Sequence, residues 1–323
     1  MSVFRHVSAA HGPSCETPVA FFVFNRPRVT ARVLAAIAAA RPRQLFVICD
    51  GPRPNRRDDH QLVQQTRQVC NHIPWQCDVR RIYADKNLGC KTRVSSGLEA
   101  VFQHVTRAII LEDDCVPHLA FFRFCEQLLQ RYERDTEVVS ISGANCLAGN
   151  VKSSGRDASY YFSNYFHCWG WATWRRSHAQ FDLHLKGWQQ FCAEKRLSAV
   201  LDNVDERLFW HRVFDLQSEG QINSWAYPWQ FSCWQQAGLN ITPRVNLISN
   251  IGFDASGTHT QAADSRLANL PVADIGTLTH PVSIERDSQA DRQMFLRSHF
   301  NDRQGLRRWM WIAKQLWAQR QAA

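Results

Sequence analysis

Three consecutive acidic residues, Glu112, Asp113 and Asp114, directly follow the apolar run Ile109–Leu111. The run predicts a strand buried on both faces. Carboxylates at the end of such a strand repel one another and resist dehydration, so we expect them at a mouth open to water or around a shared cation. Mn²⁺ or Mg²⁺ would suit them, since these ions take one or two carboxylates together with phosphate oxygens and waters. The alternative interpretation is an acidic turn that caps the next helix.

The segments before the acids alternate between strand and helix patterns. The predicted strands are Pro18–Phe24, Gln44–Asp50, Val79–Tyr83 and the run before the acids, and the predicted helices are Val29–Ala40, Asp59–Asn71 and Thr92–His104. A further strand is expected near Glu137–Ile141. This alternation predicts an α/β fold with a doubly wound, mostly parallel sheet, right-handed crossovers and helical additions.

Polar residues follow each of the first four strands. They are Asn25 and Arg26, then Asp50, then Lys86 and Asn87, and finally the acidic triplet. Because the carboxyl ends of parallel strands meet at one edge of a sheet, these residues predict a ligand crevice there. Asp50 could accept a hydrogen bond from a pyrimidine ring N–H, and Arg26 and Lys86 could meet phosphates or ribose. Solvated loop charges are the alternative for both cations.

Several function classes lack their sequence signals. There is no G-x-G-x-x-G after the first strand and no G-x-x-x-x-G-K-[ST], which argues against dinucleotide and P-loop sites. The formal charge of +9 suits a polyanionic partner. Basic residues are spread rather than striped, however, and no helix-turn-helix, RNP or zinc-finger pattern occurs, so we expect no nucleic-acid partner.

Cysteine usage and the chain termini bear on the compartment. The 11 cysteines are scattered, without C-x-x-C pairs or zinc spacing, which predicts reduced thiols in a cytoplasmic protein. The N-terminal residues lack the apolar core of a signal peptide, and no run of about 18 apolar residues predicts a membrane span.

The second half of the chain is rich in aromatic residues, including the stretch WGWATW at Trp169–Trp174. A tight turn around Gly170, with Trp171, could form a platform for a sugar, although most tryptophans are expected in the core. No clear linker interrupts the chain. We expect a tail at 1–17, one domain at 18–260 with a nucleotide-binding half (18–146) and an aromatic half (160–260), and a helical extension at 261–323.

The C-terminal segment Leu306–Arg320 has apolar residues at helical spacing and several added positive charges. Such a helix can lie in an anionic membrane interface, which would place the protein at the inner face of the cell membrane. Docking of the same helix on the body of the protein is the alternative.

Four short motifs fall in a fixed order after the four strands. They are NRP (25–27), CDG (49–51), DKNLG (85–89) and LEDD-x-x-P (111–117). In this order they resemble the GT-A glycosyltransferases, and more narrowly N-acetylglucosaminyltransferase I and related bacterial surface-polysaccharide (family 2-like) transferases. The resemblance implies a metal-dependent transfer of sugar from a nucleotide diphosphate donor to a saccharide or lipid-linked acceptor. The expected donor is a UDP-sugar, with UDP-N-acetylglucosamine as a candidate.

The resemblance also implies roles for single residues. Asp114 would bind the metal, Asp113 the ribose, and Glu112 would face the donor sugar. His259 would be a second metal ligand, with an ordinary loop histidine as the alternative. The expected nucleotide-sugar contacts are Asn25, Arg26, Asp50 (on the uracil), Lys86, Asn87, Asp113, Gly170 and Trp171.

The expected general base is missing from the sequence. An inverting transferase needs a carboxylate near the acceptor hydroxyl, and the family places it just ahead of a proline-containing strand, which corresponds here to Ser224–Trp229. Ala226 stands at that position. Three explanations stay open: a base from elsewhere, a retaining mechanism, or an inactive chain. The candidate bases are Asp254, Asp205 and Glu206.

The missing base keeps a second function in view. A non-catalytic protein that binds a nucleotide sugar or a glycan would keep the pocket without the base. Metal-dependent phosphoester hydrolysis would use the same acids, but it explains neither Asp50 nor the aromatic half.

Overall fold

The computed structural model describes residues 14–147, 158–253 and 265–299. The predictions made for Asp254, His259 and Leu306–Arg320 lie outside the described residues.

The first half of the chain follows the predicted order of strands and helices. Its elements are β1 (Val19–Val23), α1 (Pro27–Ala40), β2 (Gln44–Cys49), α2 (Asp59–Val69), β3 (Asp78–Tyr83), α3 (Cys90–His104) and β4 (Arg107–Glu112). Helix α1 begins at Pro27 because proline fixes a helical φ and the first turn does not need its missing N–H.

The second half adds short strands and most of the helices. Its elements are β5 (Cys115–Pro117), α4 (Leu119–Arg131), β6 (Val138–Ser142), β7 (Tyr160–Ser163), β8 (Trp171–Trp174), α5 (Arg175–His178), α6 (Trp188–Ala193), α7 (Arg196–Val200), α8 (Val204–Ser218), α9 (Ala226–Gln235), β9 (Leu239–Pro243), β10 (Ile248–Asn250) and α10 (Ser288–His299).

Eight of these strands form one sheet, in the order β3-β2-β1-β4-β8-β6-β9-β7. Strands β1 to β4, β6 and β9 run in one direction, whereas β8 and β7 run against it. Phe22 of β1 pairs with Glu112 of β4, so the ends of these two strands lie side by side. A second sheet joins β10 to β5 in antiparallel fashion.

The two faces of the main sheet bury separate cores. In β1, Val19 and Phe21 pack on the side of α1 and α4. Ala20 and Phe22 pack on the opposite side with α3 and α9. Since helices cover both faces, the predicted doubly wound, mostly parallel α/β fold is confirmed.

One element differs from the expected pattern. The segment Ser224–Trp229, matched to a proline-containing strand, instead enters helix α9 at Ala226. Pro228 lies in the first turn, where a helix tolerates proline. The aromatic residues pack this turn against β8: the ring of Trp171 lies 4.8 Å from that of Trp229 and 5.6 Å from that of Trp225.

Ion pairs attach helix α10 to the body of the protein. Arg292 Nη2 lies 2.8 Å from Asp205 Oδ2, and its Nη1 lies 2.9 Å from Glu206 Oε1. Asp291 accepts hydrogen bonds from Arg286 Nε at 2.7 Å and from the backbone N–H of Asn164 at 3.0 Å. Removing one partner from such a buried pair leaves an uncompensated charge, so these contacts fix the position of α10.

All eleven cysteines lie within the described residues and are free thiols. Within residues 14–147, 158–253 and 265–299, none of the helices has both the length and the apolar character that a membrane crossing requires.

Gly97 sets how closely helix α3 packs on the sheet. A Cβ at this position would lie 2.5 Å from Phe22 Cε1 and 2.9 Å from Ile48 Cγ2. Gly97→Ala should therefore lower the free energy of unfolding by about 1–3 kcal/mol, although alanine normally stabilises a helix interior. Urea denaturation measures the change, and Ser95→Ala on the same helix is the control. A Gly97→Ala protein as stable as the wild type would contradict the close packing.

Candidate functional site

A cavity of about 900 Å³ opens at the carboxyl ends of β1, β2 and β4. Seven of the residues predicted from the strand ends line it: Asn25, Arg26, Asp50, Asn87, Glu112, Asp113 and Asp114. Lys86 is exposed to solvent and does not contribute to the lining. The sheet thus brings together the strand ends that the sequence placed at one edge.

The aspartates of the acidic triplet share a cation, the guanidinium of Arg26. Arg26 Nη2 bonds Asp113 Oδ1 and lies 3.0 Å from Asp114 Oδ2. Both aspartates are almost fully buried, with relative exposures of 4% and 8%. Gly252 covers the pair so closely that a Cβ there would lie 2.1 Å from Asp114 Oδ2. Of the two surroundings expected for these acids, water or a cation, the structure has the cation.

Burial raises the pKa of two carboxylates in the triplet, Glu112 and Asp113. Burial raises the pKa of Glu112 to about 8, and the charges of Asp114 and Asp113 act in the same direction. Burial also raises the pKa of Asp113 to about 6, against the opposing charge of Arg26. The raised pKa favours the protonated form of Glu112, the form that donates a hydrogen bond.

Asp50 holds the loop at residues 85–89 in place. Its Oδ1 accepts hydrogen bonds from the N–H groups of Gly51 at 2.8 Å and Leu88 at 2.9 Å. Its Oδ2 accepts from Asn87 Nδ2 and from the N–H of Gly89, both at 3.0 Å. These four bonds fill the usual acceptor positions of a carboxylate. A nucleobase N–H could bond Asp50 only by displacing one of them.

The loop after β2 contributes an arginine that the sequence did not single out. Arg53 Nε lies 2.5 Å from Asp59 Oδ2, and Asn25 Nδ2 donates to Asp59 Oδ1 at 2.9 Å. The bond from Arg53 lowers the pKa of Asp59 to about 2. The Arg53 guanidinium also lies 5.2 Å from the centroid of the Phe24 ring. Asn25 thus lines the cavity while its side chain is fixed by α2.

Arg93, in the first turn of α3, is a second lining residue that the sequence did not single out. Its relative exposure is 8%, and its Nη2 donates to the backbone oxygen of Ile82 at 2.8 Å. Its Nε is buried and has no hydrogen-bond partner among the described residues. Burial lowers the pKa of Arg93, and the charge of Asp50 opposes that change. The helical periodicity of α3 gave no signal, since an arginine there normally faces solvent.

Aromatic and apolar side chains form the opposite wall. The stretch at Trp169–Trp174 contributes Trp169, whereas Gly170 and Trp171 do not line the cavity. Trp171 is fully buried behind Trp225, so it supports the wall and does not face a ligand. Gly170 has φ +60° and lies against Ile248, so a side chain would not fit this turn. The remaining aromatic and apolar contributors include Phe166, Trp225, Tyr227, Phe253, Leu267, Met294 and Phe295.

No further carboxylate lines the cavity in the part of the chain that the structure describes; Asp50 and the triplet are the acids there. Ala226 does line it, at the position matched to the general base. Asp205 and Glu206 are buried at 4% and 0% exposure and bond Arg292, so neither serves as the base in this arrangement.

His167 also lines the cavity, close to the aromatic wall. Burial lowers its pKa to about 4. Its Nε2 is buried without a hydrogen-bond partner within the described ranges, and its backbone N–H donates to Ser142 Oγ at 3.1 Å. The imidazole is therefore neutral at physiological pH.

The chain is distantly similar to several solved structures. No protein-family model and no curated protein matches the chain. A UDP-glucose pyrophosphorylase complexed with UDP-glucose is similar at 8% identity and a TM-score of 0.32, over 51% of this chain and 78% of that chain. The 4-diphosphocytidyl-2C-methyl-D-erythritol synthase from Anaerococcus prevotii DSM 20548 is similar at 8% identity and 0.30, over 52% and 75%. HddC from Yersinia pseudotuberculosis is similar at 9% identity and 0.31, over 50% and 78%. At such TM-scores these likenesses do not bear on function.

The buried His167 should make stability depend on pH. Because its folded pKa of about 4 lies below the unfolded value of 6.5, the unfolded chain binds more protons between these values. Stability is thus complete above pH 6.5 and falls as the pH drops toward 4. Relative to His167→Phe, the wild type should lose roughly 2 kcal/mol between about pH 7.5 and pH 5.

Chemical denaturation at each pH measures this difference. His184→Phe, at an exposed position, is the control. Equal pH dependence of the wild type and His167→Phe would show that the imidazole is not buried in its neutral form.

Proposed function

We propose that this protein is a metal-dependent glycosyltransferase of the GT-A type. It transfers a sugar from a nucleotide diphosphate donor, with UDP-N-acetylglucosamine as a candidate, to a saccharide or lipid-linked acceptor. The observation that carries the proposal is the meeting of NRP, CDG, DKNLG and the acidic triplet at one cavity. In this proposal, residues 18–260 form the catalytic domain, and the segment after it supplies part of the cavity wall through α10.

The acidic triplet is chemically suited to a divalent metal. Asp114 and Asp113 offer hard carboxylate oxygens of the kind that Mn²⁺ and Mg²⁺ prefer. No group of three His, Cys, Asp or Glu side chains is gathered for a metal within the described ranges, so phosphate oxygens and waters would complete the shell. A bound metal would neutralise negative charge on the leaving nucleotide diphosphate. His259 stays a proposed second ligand.

Arg26 has a double role in this proposal. In the structure it neutralises the two aspartates at the cavity edge. A diphosphate is a stronger partner for a guanidinium than a shared carboxylate pair, since phosphate accepts bidentate, charge-assisted bonds. We expect Arg26 to turn toward the phosphates when the donor binds, which frees Asp114 for the metal.

The remaining residues position the donor and the acceptor. Protonated Glu112 donates a hydrogen bond to a hydroxyl of the donor sugar, and Asp113 accepts one from the ribose. Asp50 acts on the base through the loop at residues 85–89 that it orders. The aromatic wall gives the acceptor a surface for stacking on sugar rings. Asp254 stays a proposed base, and the outcome at the anomeric carbon, inverted or retained, depends on it.

Ala226 favours a second candidate function. With no carboxylate at this position of the cavity wall, the protein would bind a nucleotide sugar or glycan without transferring it. An assay with a radiolabelled donor separates the two functions, because sugar transfer or donor hydrolysis excludes the binding-only function.

Asp114→Ala should abolish the metal-dependent part of nucleotide binding, because the substitution removes the main oxygen ligand proposed for the metal. Calorimetric titration of UDP with and without Mn²⁺ measures this part. Glu133→Ala, at an exposed position just beyond the C-terminal end of α4, is the control. A wild-type affinity for UDP that is the same with and without Mn²⁺ would contradict the metal-dependent mechanism.

Arg26→Gln should let Mn²⁺ bind without any nucleotide. The substitution leaves Asp113 and Asp114 buried without their cation, which is costly until a metal replaces it. Mn²⁺ alone should therefore raise the melting temperature of Arg26→Gln more than that of the wild type. Arg53→Gln, which breaks the other ion pair at the cavity, is the control. Equal shifts in all three proteins would refute the competition between Arg26 and the metal.

A further inference from the structure

Two arginines, Arg67 and Arg93, lie near Asp50, and their hydrogen bonds differ. Arg67 Nη2 donates to two backbone oxygens, those of Ala84 at 2.6 Å and Asp50 at 3.3 Å. Its guanidinium also lies 4.8 Å from the centroid of the Tyr83 ring. Arg67 does not line the cavity. Its bonds show that it fixes the two chain segments that leave β2 and β3.

Arg93 has fewer acceptors than Arg67, and the Nε of each arginine is buried without a hydrogen-bond partner among the described residues. Arg93 makes one side-chain hydrogen bond, to Ile82 O, and no carboxylate lies within ion-pair distance among the described residues. Asp50 is the acid whose charge acts most on Arg93. Its oxygens already accept hydrogen bonds from four other donors. A buried guanidinium without a carboxylate is costly, and a fold retains one only where another acceptor meets it.

The surroundings of Arg93 favour an oxygen-bearing ligand. Gly89 and Cys90, at the N-terminal end of α3, line the cavity together with Arg93. The residue that precedes α3 is Gly89, which gives this helix end no side-chain cap. The helix end and the guanidinium therefore both attract electron-rich groups to the same part of the cavity.

We propose that Arg93 binds an oxygen of the donor nucleotide, either a phosphate oxygen or a base carbonyl, and so contributes to the choice of nucleotide. This inference rests on the proposed function, because it takes the nucleotide of the sugar donor as the ligand. Arg93 lies outside the four motifs and is not among the contacts that the sequence predicts. In this proposal an oxygen of the nucleotide accepts a hydrogen bond from the Arg93 guanidinium, for which the described residues provide no carboxylate partner.

The test combines nucleotide affinity with the stability of the free protein. Arg93→Met should weaken UDP binding by roughly ten-fold or more, the usual effect of losing a charge-assisted hydrogen bond. The same substitution should leave the melting temperature of the free protein unchanged or raise it, because an unpaired buried charge is removed. Calorimetric titration and thermal unfolding measure the two effects.

Arg67→Met is the matched control. It deprives two backbone oxygens of their donor, so it should lower the melting temperature without a ten-fold loss of UDP affinity. Arg93→Lys is a second variant that keeps the charge but loses the planar fork, and it should bind UDP at least three-fold more weakly than the wild type.

Three nucleotide probes locate the contact. A loss of affinity shared by UDP, UMP and uridine assigns Arg93 to the base, and a loss limited to UDP and UMP assigns it to a phosphate; both results support the inference. Unchanged UDP affinity in Arg93→Met and Arg93→Lys overturns it, as does a lowered melting temperature with unchanged affinity. If the wild type binds none of the three probes, the proposed function itself fails, a result distinct from a failure of Arg93 alone.

Discussion

The mutual repulsion of carboxylates at the end of a buried strand is the constraint on which the site depends. β4 places Glu112 beside Phe22 of β1 at the end of a buried strand, where water solvates three adjacent charges only in part. The chain meets this constraint in two ways. A raised pKa favours the protonated form of Glu112, and Arg26, three residues beyond the end of β1, brings a positive charge to Asp113 and Asp114. The pairing of β1 with β4 thus determines where the charges of the cavity lie.

Two other acids, Asp50 and Asp59, also have hydrogen-bond or ion-pair partners within the protein. Asp50 accepts four hydrogen bonds, and Asp59, behind the cavity-lining Asn25 and Arg53, pairs with Arg53 and accepts a hydrogen bond from Asn25. Each acid in the described wall therefore has a partner or a proton before any ligand arrives. A ligand that bonds to these acids must therefore exchange partners with the protein. Exchange of this kind favours ligands that bring both charge and hydrogen-bond acceptors, as a nucleotide diphosphate with its metal does.

Much of the first half could be predicted from sequence because its signals are local. Apolar runs that alternate with helix patterns predicted β1 to β4. The polar residues after each strand predicted the sheet edge at which Arg26, Asp50, Asn87 and the triplet meet. The doubly wound sheet follows from the same alternation.

The rest depended on contacts between distant segments. Trp171 and Trp169 are two residues apart in the same motif, yet one is core and the other lines the cavity, because Trp171 begins β8 whereas Trp169 lies before the strand, across the turn at Gly170. The resemblance placed a proline-containing strand at Ser224–Trp229, but this segment packs on Trp171 and enters helix α9. The role of Arg93 was also hidden, since sequence cannot show that an arginine lacks its acid.

The ion pairs of α10 have a consequence for the order in which the protein is made. Asp291 bonds Ser163 and Asn164, which lie 128 and 127 residues earlier in the chain. Met294 and Phe295, on the same helix, complete the cavity wall. During synthesis the sheet edge with its acids emerges long before this wall, so the cavity is closed only after Met294 and Phe295 have been made. Contacts over such separations slow folding. Until α10 docks, the acids at the sheet edge lie beside an incomplete aromatic wall.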